Sequence, residues 1–406
     1  MENKSIPEIR FSEFSGDWEE IKLSDVLKER KVKQKISEEA PLLAFAAGQG
    51  VIDRSERKTN NRDFLTNDST EKSYLITKLN DIVYNPSNLK YGAIDRNKHG
   101  YGVISPIYVT FETNEIPSFI ELIVKSNAFK QRALRYEEGT VTKRQSVKPE
   151  NLLSLNVVLP NSKNEQIEIG NLFEELEDII TINKQELENL KQTKQGFLQK
   201  MFPKKGESVP EIRFPGFNED WEQRKLGDVA DIIGGGTPST SNKEYWNGDI
   251  DWYSPVEIGD QTYVENSQRK ITELGLQKSS AKILPVGTVL FTSRAGIGKT
   301  AILANEGATN QGFQSIVPHK EELNSYFIYS KTNELKRYGE THGAGSTFVE
   351  VSGKQMVKMP MLIPTLEEQQ KIGNFFKQLD YTIALHEQEL ETLKQTKRAF
   401  LQKMFI

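Results

Sequence analysis

The sequence predicts an α+β protein made by duplication. Two mixed α/β domains are separated by two long helices that form an antiparallel coiled coil, with pseudo-two-fold, cyclic symmetry. A long helical segment ending in LKQTKQGFLQKMF at Phe202 recurs 203 residues later, ending in LKQTKRAFLQKMF at Phe405. An opening block of 22 residues, starting at Ser5 and again at Ser208, recurs at the same offset with 14 identical positions. Repetition at one constant offset indicates a duplicated unit.

The composition excludes several kinds of site. The chain has 406 residues, of which 36% are hydrophobic and 27% charged, so its length suggests two or three domains and its repeat favours two halves. It contains no cysteine, which excludes disulfides, thiolate metal sites and cysteine nucleophiles. We expect no metal site and no cofactor, because the four histidines stand far apart, at His99, His319, His342 and His386. No apolar run approaches the roughly twenty residues of a membrane span. Together with a polar amino terminus, this predicts a cytoplasmic protein that does not interact with membranes.

We divide the chain into four segments. A first domain covers residues 1–160, a central long helix 161–204, a second domain 205–363 and a C-terminal long helix 364–406. The net charge of the whole chain is -4, but residues 21–160 carry 22 Lys and Arg against 17 Asp and Glu. This local positive excess is compatible with an anionic partner such as nucleic acid.

The first domain is predicted to be rich in strands. Three short β-branched or aromatic runs, bounded by Gly, Asn and Pro, predict strands at Asp81–Tyr84, Gly102–Ile104 and Ile107–Phe111. A helix is expected from Pro117 to Leu134, since proline is tolerated in a first turn. The apolar run Asn151–Leu159 predicts a final strand before the long helix.

The two long helices carry apolar residues on a seven-residue period, which keeps one seam facing a partner helix. The predicted helix-pairing residues are Ile169, Leu176, Asn183 and Leu190 in the first copy and Ile372, Leu379, His386 and Leu393 in the second. Each helix should be roughly 55 Å long. Asn183 and His386 are the polar members of their rows, and we expect them to approach each other and fix the register.

The second domain follows the same order with different residues. Strands are expected at Val289–Thr292, Thr300–Leu303 and Met359–Ile363, with a helix over Asn324–Arg337. Its opening loop, which starts with GGGTPST at Gly234, is long, glycine-rich and aromatic. Such a loop can reach a ligand.

This arrangement resembles the specificity subunit of type I restriction-modification systems over essentially the whole chain. The resemblance rests on the doubled unit and on the motifs PEIRF, DWE, EQ, LKQTK, FLQKMF, GGGTPST, YW and ATNQGF. It implies that each globular domain is a target recognition domain that binds one half of a gapped double-stranded DNA sequence. It also implies that the helices act as a spacer and as the docking site for methyltransferase subunits, expected to be two, with restriction (endonuclease/translocase) subunits joining through the complex. The chain itself would not be catalytic.

The residues favoured for DNA contact are polar and basic residues on predicted turns. They are Lys90, Tyr91, Arg96, Lys98, Lys143 and Arg144 in the first domain and Thr237, Ser239, Thr240, Lys243, Arg294, Lys299, Asn310 and Gln311 in the second. Lysine and arginine would mostly bind phosphates, whereas arginine on guanine, or asparagine and glutamine on adenine, would supply sequence specificity. Each of them could equally be a solvated loop residue, and Asn310 and Gln311 could instead satisfy backbone groups in a turn.

A nucleotide-binding enzyme and a protein-binding scaffold remain open from sequence as other function classes, whereas catalysis of methylation by this chain is not expected. SRAGIGKT, from Ser293, imitates a phosphate-binding loop, but it lacks the first glycine and is followed by a predicted strand rather than a helix. Asn85-Pro86-Ser87-Asn88 imitates the catalytic loop of amino-methyltransferases, but without its second proline and its aromatic residue. A scaffold whose domains bind protein is the remaining alternative.

Trp18 and Trp221 occupy equivalent places in the repeated opening block. Because they lie in the repeated part rather than in the divergent domains, we predict that they pack in the core and do not stack on a ligand.

Overall fold

The structure is a computed structural model that describes residues 6–56, 72–139, 145–294, 296–345 and 349–405. It divides into two compact units, Met1–Ile182 with Leu390–Ile406, and Asn183–Glu389. Each unit contains one globular body and a part of both long helices. Within the described residues, none of the helices has a stretch long and apolar enough to cross a bilayer.

The body of the first unit combines small antiparallel sheets with short helices. Its strands are β1 (Glu19–Lys22), β2 (Leu27–Glu29), β3 (Lys33–Gln34), β4 (Leu43–Ala46), β5 (Gly50–Asp53), β6 (Tyr74–Thr77), β7 (Ile82–Tyr84), β8 (Ile94–Arg96), β9 (Gly102–Ile104), β10 (Val109–Thr113), β11 (Glu137–Glu138), β12 (Ser146–Val147) and β13 (Asn156–Leu159). Its helices are α1 (Leu23–Val26), α2 (Pro117–Lys125), α3 (Asn127–Leu134) and α4 (Pro149–Leu153), followed by the long helix α5 (Lys163–Lys200). The strands form a four-stranded sheet in the order β2-β10-β7-β8, a three-stranded sheet β3-β6-β9, and the pairs β4-β5, β1-β13 and β11-β12.

Two element predictions for this body need correction. The helix expected from Pro117 to Leu134 is interrupted at Ser126, whose hydroxyl oxygen accepts a hydrogen bond from the Phe129 amide (3.1 Å) and so caps α3. The strand expected over Asn151–Leu159 is shorter, because its first residues belong to α4. The other predicted strands of this domain are present, with bounds shifted by up to two residues at each end.

The body of the second unit has a larger sheet. Its strands are β14 (Glu222–Lys225), β15 (Ala230–Gly234), β16 (Trp246–Tyr253), β17 (Tyr263–Val264), β18 (Arg269–Ile271), β19 (Val289–Phe291), β20 (Thr300–Leu303), β21 (Ala308–Thr309), β22 (Gln314–Pro318) and β23 (Pro360–Ile363). Its helices are α6 (Leu226–Val229), α7 (Glu273–Gln277), α8 (Ser325–Ser330), α9 (Thr332–His342) and α10 (Gly353–Met356), followed by the second long helix α11 (Leu366–Lys403). The sheets have the orders β15-β22-β19-β20-β17, β18-β16-β21 and β14-β23. The helix predicted over Asn324–Arg337 is divided at Lys331 into α8 and α9.

The repeated sequence blocks make the same buried ion pair twice. Arg10 binds both carboxylate oxygens of Glu165 (2.6 and 2.7 Å), and Arg213 binds Glu368 in the same way (2.7 Å for both bonds). Both glutamates are fully buried. These bonds attach each PEIRF segment to the start of the long helix that closes its unit, and a bidentate arginine–carboxylate pair fixes that geometry strongly.

The two tryptophans of the DWE motifs are core residues. Trp18 is 4% exposed and Trp221 3% exposed, which confirms the predicted packing role. The last phenylalanine of each long helical segment packs against the core tryptophan of its own unit. Phe405 contacts the rings of Trp18, Phe119 and Phe173. Phe202 contacts the rings of Trp221, Phe327 and Phe376. The FLQKMF motif therefore fills the core beneath each body.

The EQ motif and the Ile-Gly-Asn segment that follows it in both copies hold the start of each long helix against a helix of the body. The Ile116 amide donates to Gln166 Oε1 (3.2 Å), and the Asn324 amide donates to Gln369 Oε1 (3.0 Å), so each glutamine binds the chain just before α2 or α8. A Cβ atom at Gly170 would collide with the Ser118 hydroxyl, which explains why the helix carries glycine there.

The first unit is closed by the end of the chain. The Ile9 amide donates to the Lys403 carbonyl (2.9 Å), as the Ile212 amide donates to the Lys200 carbonyl (2.8 Å) in the second unit. In the second unit the two segments are joined by the connector that starts at Pro203, whereas in the first they are the two ends of the chain. The two end segments of the chain thus meet in the first unit, which confirms the predicted cyclic duplication.

The long helices pair antiparallel in both units. Each spans 38 residues, about 57 Å at the α-helical rise. In the first unit Glu177 of α5 pairs with Lys397 of α11, and in the second Lys194 of α5 pairs with Asp380 of α11. All eight predicted helix-pairing residues are buried or half-buried, from Ile169 to Leu393.

The expected contact between Asn183 and His386 is wrong. In the second unit the Lys191–Glu387 pair (2.6 Å) and the Lys194–Asp380 pair set the register, so His386 lies level with residues near 190 of α5. This position is about seven residues, or roughly 10 Å along the helix, from Asn183. His386 Nδ1 is buried and has no hydrogen-bond partner among the described residues. The register therefore depends on the apolar seam and the ion pairs, without a polar contact between these two side chains.

Candidate nucleic-acid interface

Two loops that are distant in sequence meet on the second unit. The Gly236 amide donates to the Thr309 carbonyl (2.8 Å), and a Cβ atom at Gly235 would collide with the Asn310 carbonyl. The glycine-rich loop after β15 therefore lies directly on the ATNQGF segment after β21, and only glycine permits this approach.

The predicted DNA-contacting residues of these loops lie close together. The Thr237 hydroxyl is hydrogen-bonded to the side-chain oxygen of Gln311, which is exposed. Asn310 Oδ1 accepts a hydrogen bond from the Gly312 amide (2.7 Å), so this oxygen stabilises the turn, as the alternative interpretation of its sequence proposed. Ser239, Thr240 and Lys243 are exposed on the same glycine-rich loop.

Two tryptophans support this loop through hydrogen bonds to its backbone. Trp252 Nε1 donates to the Gly236 carbonyl (2.8 Å), and Trp246 Nε1 donates to the Ser239 carbonyl (3.1 Å). The guanidinium of Arg269 lies 3.7 Å from the centre of the Trp246 ring, in a cation–π contact. Arg269 is exposed and was not among the residues selected from sequence. Its only sequence signal was its position in a basic run, Arg269-Lys270, that follows a tryptophan-rich segment.

Arg294 and Lys299 lie on the connection between the antiparallel strands β19 and β20, which confirms the strands predicted on either side of the SRAGIGKT loop. The Thr292 hydroxyl donates to the Gly296 carbonyl (2.8 Å) and accepts from the Lys299 amide (2.9 Å). The Ser293 amide donates to the Gly312 carbonyl (2.8 Å), which places Arg294 beside the loop of Gln311. These amides are satisfied inside the protein and no helix follows the loop, so the geometry does not match a phosphate-binding loop.

In the first unit, Lys90 and Tyr91 belong to a short 3-10 helix, Leu89–Tyr91. Tyr91 is 70% exposed, and the Lys90 ammonium lies 5.4 Å from the centre of its ring. An exposed tyrosine next to a lysine provides both a stacking surface and a positive charge to nucleic acid.

Arg96 faces the interior of the first unit, and the half-exposed Lys98 pairs with the same carboxylate. Arg96 Nε lies 2.8 Å from Glu121 Oε2, its NH1 donates to Asn80 Oδ1 (2.9 Å), and its side chain is only 10% exposed. Lys98 binds Glu121 Oε1 (3.0 Å) but remains half exposed. Burial acts to raise the pKa of Glu121, but Lys125, Arg96 and Lys98 outweigh it and lower this pKa to about 2. Arg96 would have to leave this carboxylate to bind a base.

Lys143 and Arg144 lie outside the described residues. The described parts of the chain contain no group of three or more His, Asp or Glu side chains arranged to hold a metal ion.

A family model for the type I restriction modification DNA specificity domain matches residues 218–395. The MjaIX specificity subunit of a type I restriction enzyme from Methanocaldococcus jannaschii is 37% identical over 191 residues, which are 46% of this chain and 44% of that protein. The EcoR124I/EcoR124II specificity subunit from Escherichia coli is 28% identical over 167 residues, 39% of this chain and 41% of that one. The chain thus spans less than half the length of these two relatives.

A crystal structure of the S subunit of a type I restriction-modification system from M. genitalium has a similar fold. The TM-score is 0.61, with 14% sequence identity over 99% of both chains. This similarity shows the fold, with two bodies and two long helices, and extends over the first half of the chain, which the family model does not cover.

Proposed function

We propose that the chain is the DNA-recognition subunit of a type I restriction-modification complex, because the family model for the DNA specificity domain matches residues 218–395 and a relative that is 37% identical over 191 residues is a specificity subunit. In this proposal the domains 1–160 and 205–363 each bind one half of a gapped duplex target. The chain has no catalytic role of its own, and its methyltransferase and restriction partners supply the chemistry.

The proposal rests on one combined observation: the two bodies are attached to the long helices in the same way, but their sheets differ. The Arg10–Glu165 and Arg213–Glu368 pairs attach the two bodies to the helices in the same way. The sheets of the bodies nevertheless differ, with a four-stranded and a three-stranded sheet in one and a five-stranded and a three-stranded sheet in the other. A repeated attachment that presents two unlike surfaces suits a target made of two unlike half-sites.

Within the second body we propose that Gln311 and Arg294 contact base edges. Gln311 is bonded to Thr237 of the glycine-rich loop, and Arg294 lies beside the loop of Gln311. Both side-chain types can make bidentate contacts in the major groove. Lys243 and Lys299, which are exposed, would bind phosphates, as would Lys98 in the first body.

We propose the outer faces of the long helices as docking sites for two methyltransferase subunits. Ile182 and Leu385 occupy equivalent positions of the repeat and are 57% and 47% exposed. Exposed apolar residues at equivalent positions of a repeat suit two copies of one partner. Co-purification with the methyltransferase tests this: Ile182→Asp and Leu385→Asp should each lower the bound methyltransferase from two copies towards one, whereas Leu79→Asp, at an equally exposed residue of the body, should not.

Methylome sequencing of cells that contain this chain and its methyltransferase tests the proposed function directly. We expect methylation at one gapped motif, and replacement of residues 205–363 by the corresponding domain of a relative should change only one half of that motif. Methylation without a gapped motif, or DNA binding that does not depend on salt, would favour a protein-binding scaffold instead.

A further inference from the structure

The first unit contains a cavity of about 650 Å³ between the β4–β5 hairpin and the segment that precedes β8. Aromatic and amide side chains contribute most of its lining: Phe45, Tyr91, Tyr108, Gln49, Asn85 and Asn88. The volume lies within the roughly 300–1,000 Å³ range of small-molecule sites. None of these six residues is needed for the attachment of the body to the helices.

Two rings form a rigid apolar wall of this cavity. Phe45 is 5% and Tyr108 8% exposed, and their ring centres lie 5.7 Å apart. Tyr91 lines the same cavity but is 70% exposed, so it lies at the opening. A wall of this kind can stack against a flat ring that enters past Tyr91.

The amide groups can bind the edge of such a ring. Asn85 is 6% exposed, and its Oδ1 accepts a hydrogen bond from the Ser87 amide (3.0 Å), which fixes the orientation of the side chain and leaves its NH2 group as a donor. Asn88 begins the 3-10 helix without a side-chain capping bond, and it is exposed, so its amide can both donate and accept.

The charge of the cavity restricts the ligand. No lysine or arginine is among the described residues that line it, and its charged member is the acidic Glu56. A phosphate or another anion would therefore find no counter-charge among these described lining residues. A neutral, planar group with hydrogen-bonding atoms on its edge fits, and a nucleobase is such a group.

We propose that the first unit takes one nucleobase of its half-site, rotated out of the duplex, into this cavity, where it stacks on Tyr108 and hydrogen-bonds to Asn85 and Asn88. The proposal rests on the proposed DNA-recognition function and adds a mode of base recognition to it. Extrusion of a base costs a few kcal/mol, and the cost is smallest where the base has no pairing partner.

The test uses the full chain in complex with its methyltransferase and duplexes that carry the motif found by methylome sequencing. Each base of the first unit's half-site is in turn placed opposite an abasic position, and the dissociation constant is measured. At the base that enters the cavity we expect affinity to rise on the order of tenfold or more, because pairing no longer opposes extrusion. Asn88→Ala and Tyr91→Ala, both at exposed residues, should abolish this rise, whereas Tyr136→Ala, at an exposed tyrosine outside the cavity, should preserve it.

Preference for the motif over random DNA establishes the recognition function independently of the cavity. If the preference is present but no base of this half-site gives the rise, the cavity does not hold a base. A rise confined to the methylated base and unchanged in both cavity variants would also overturn the proposal, because the methyltransferase would then be extruding that base. The second half-site, which the other unit binds, serves as the internal control.

Discussion

Replacement of Glu165 by glutamine would test how the first body is held to the long helices, and the repeat supplies a matched control at Glu368. Glu165 accepts two bonds from Arg10 (2.6 and 2.7 Å) and one from Trp18 Nε1 (3.2 Å), whereas Glu368 accepts two from Arg213 (2.7 Å each). Trp221 Nε1 is buried without a hydrogen-bond partner in the part of the chain that the structure describes.

The expected cost follows from burial. Removing one charge of a buried pair costs about 3–5 kcal/mol, and a value near the lower limit is expected because some water can reach the arginine. The Arg10 side chain is 12% and the Glu165 side chain 1% exposed. Trp18 Nε1 then donates to a neutral amide oxygen instead of a carboxylate, which adds about 1 kcal/mol. We therefore expect Glu165→Gln to cost about 4 kcal/mol and Glu368→Gln about 3 kcal/mol.

Amide hydrogen exchange measures these costs locally. The Ile9 amide is bonded to Lys403, and the Ile212 amide to Lys200, so peptides that cover these amides report on the two attachments separately. Glu165→Gln should accelerate exchange at Ile9 by roughly a thousandfold, at about 1.4 kcal/mol per tenfold, and leave Ile212 unchanged. Glu368→Gln should give the reverse pattern. Acceleration below about fivefold, or an equal response of both peptides to either variant, would refute the local energetic reasoning.

Four further results are expected. The pKa of Glu121 is lowered to about 2 from an ordinary value of 4.5, so the stabilisation from its ionised carboxylate is complete above pH 4.5 and is lost as the pH falls towards 2. Glu121→Gln should lower the free energy of unfolding in urea by about 2–3 kcal/mol at pH 7, and by progressively less in acid. His386→Leu should raise the free energy of unfolding by about 1 kcal/mol, since it removes a buried nitrogen without a partner, and a decrease in the urea midpoint would contradict this. Lys299→Ala, at an exposed residue, should reduce the salt dependence of DNA binding by about one phosphate contact without changing stability. Arg96→Ala should destabilise the first unit, and an unchanged urea midpoint for Arg96→Ala would show that its pairing with Glu121 is unimportant.

The sequence alone predicted the duplication, the paired helices and the core position of Trp18. These features correspond to repeated motifs or to a regular seven-residue period in the sequence. Each can be recognised without knowing which distant residues are in contact. The β19–β20 hairpin at SRAGIGKT was also predictable, because the β-branched run after Lys299 favours a strand.

Contacts between residues distant in sequence decided the features that the sequence did not predict. Arg96 was expected on an exposed turn, and only the fold brings Glu121 next to it. Arg269 is positioned by stacking on Trp246, which the linear sequence does not reveal. The register that separates His386 from Asn183 is seen in the Lys191–Glu387 and Lys194–Asp380 pairs, which join residues distant in the chain. Local preferences specify which segments become helix or strand, but the side chains that remain accessible for DNA are set by tertiary contacts, because charge and burial depend on neighbours that are remote in the chain.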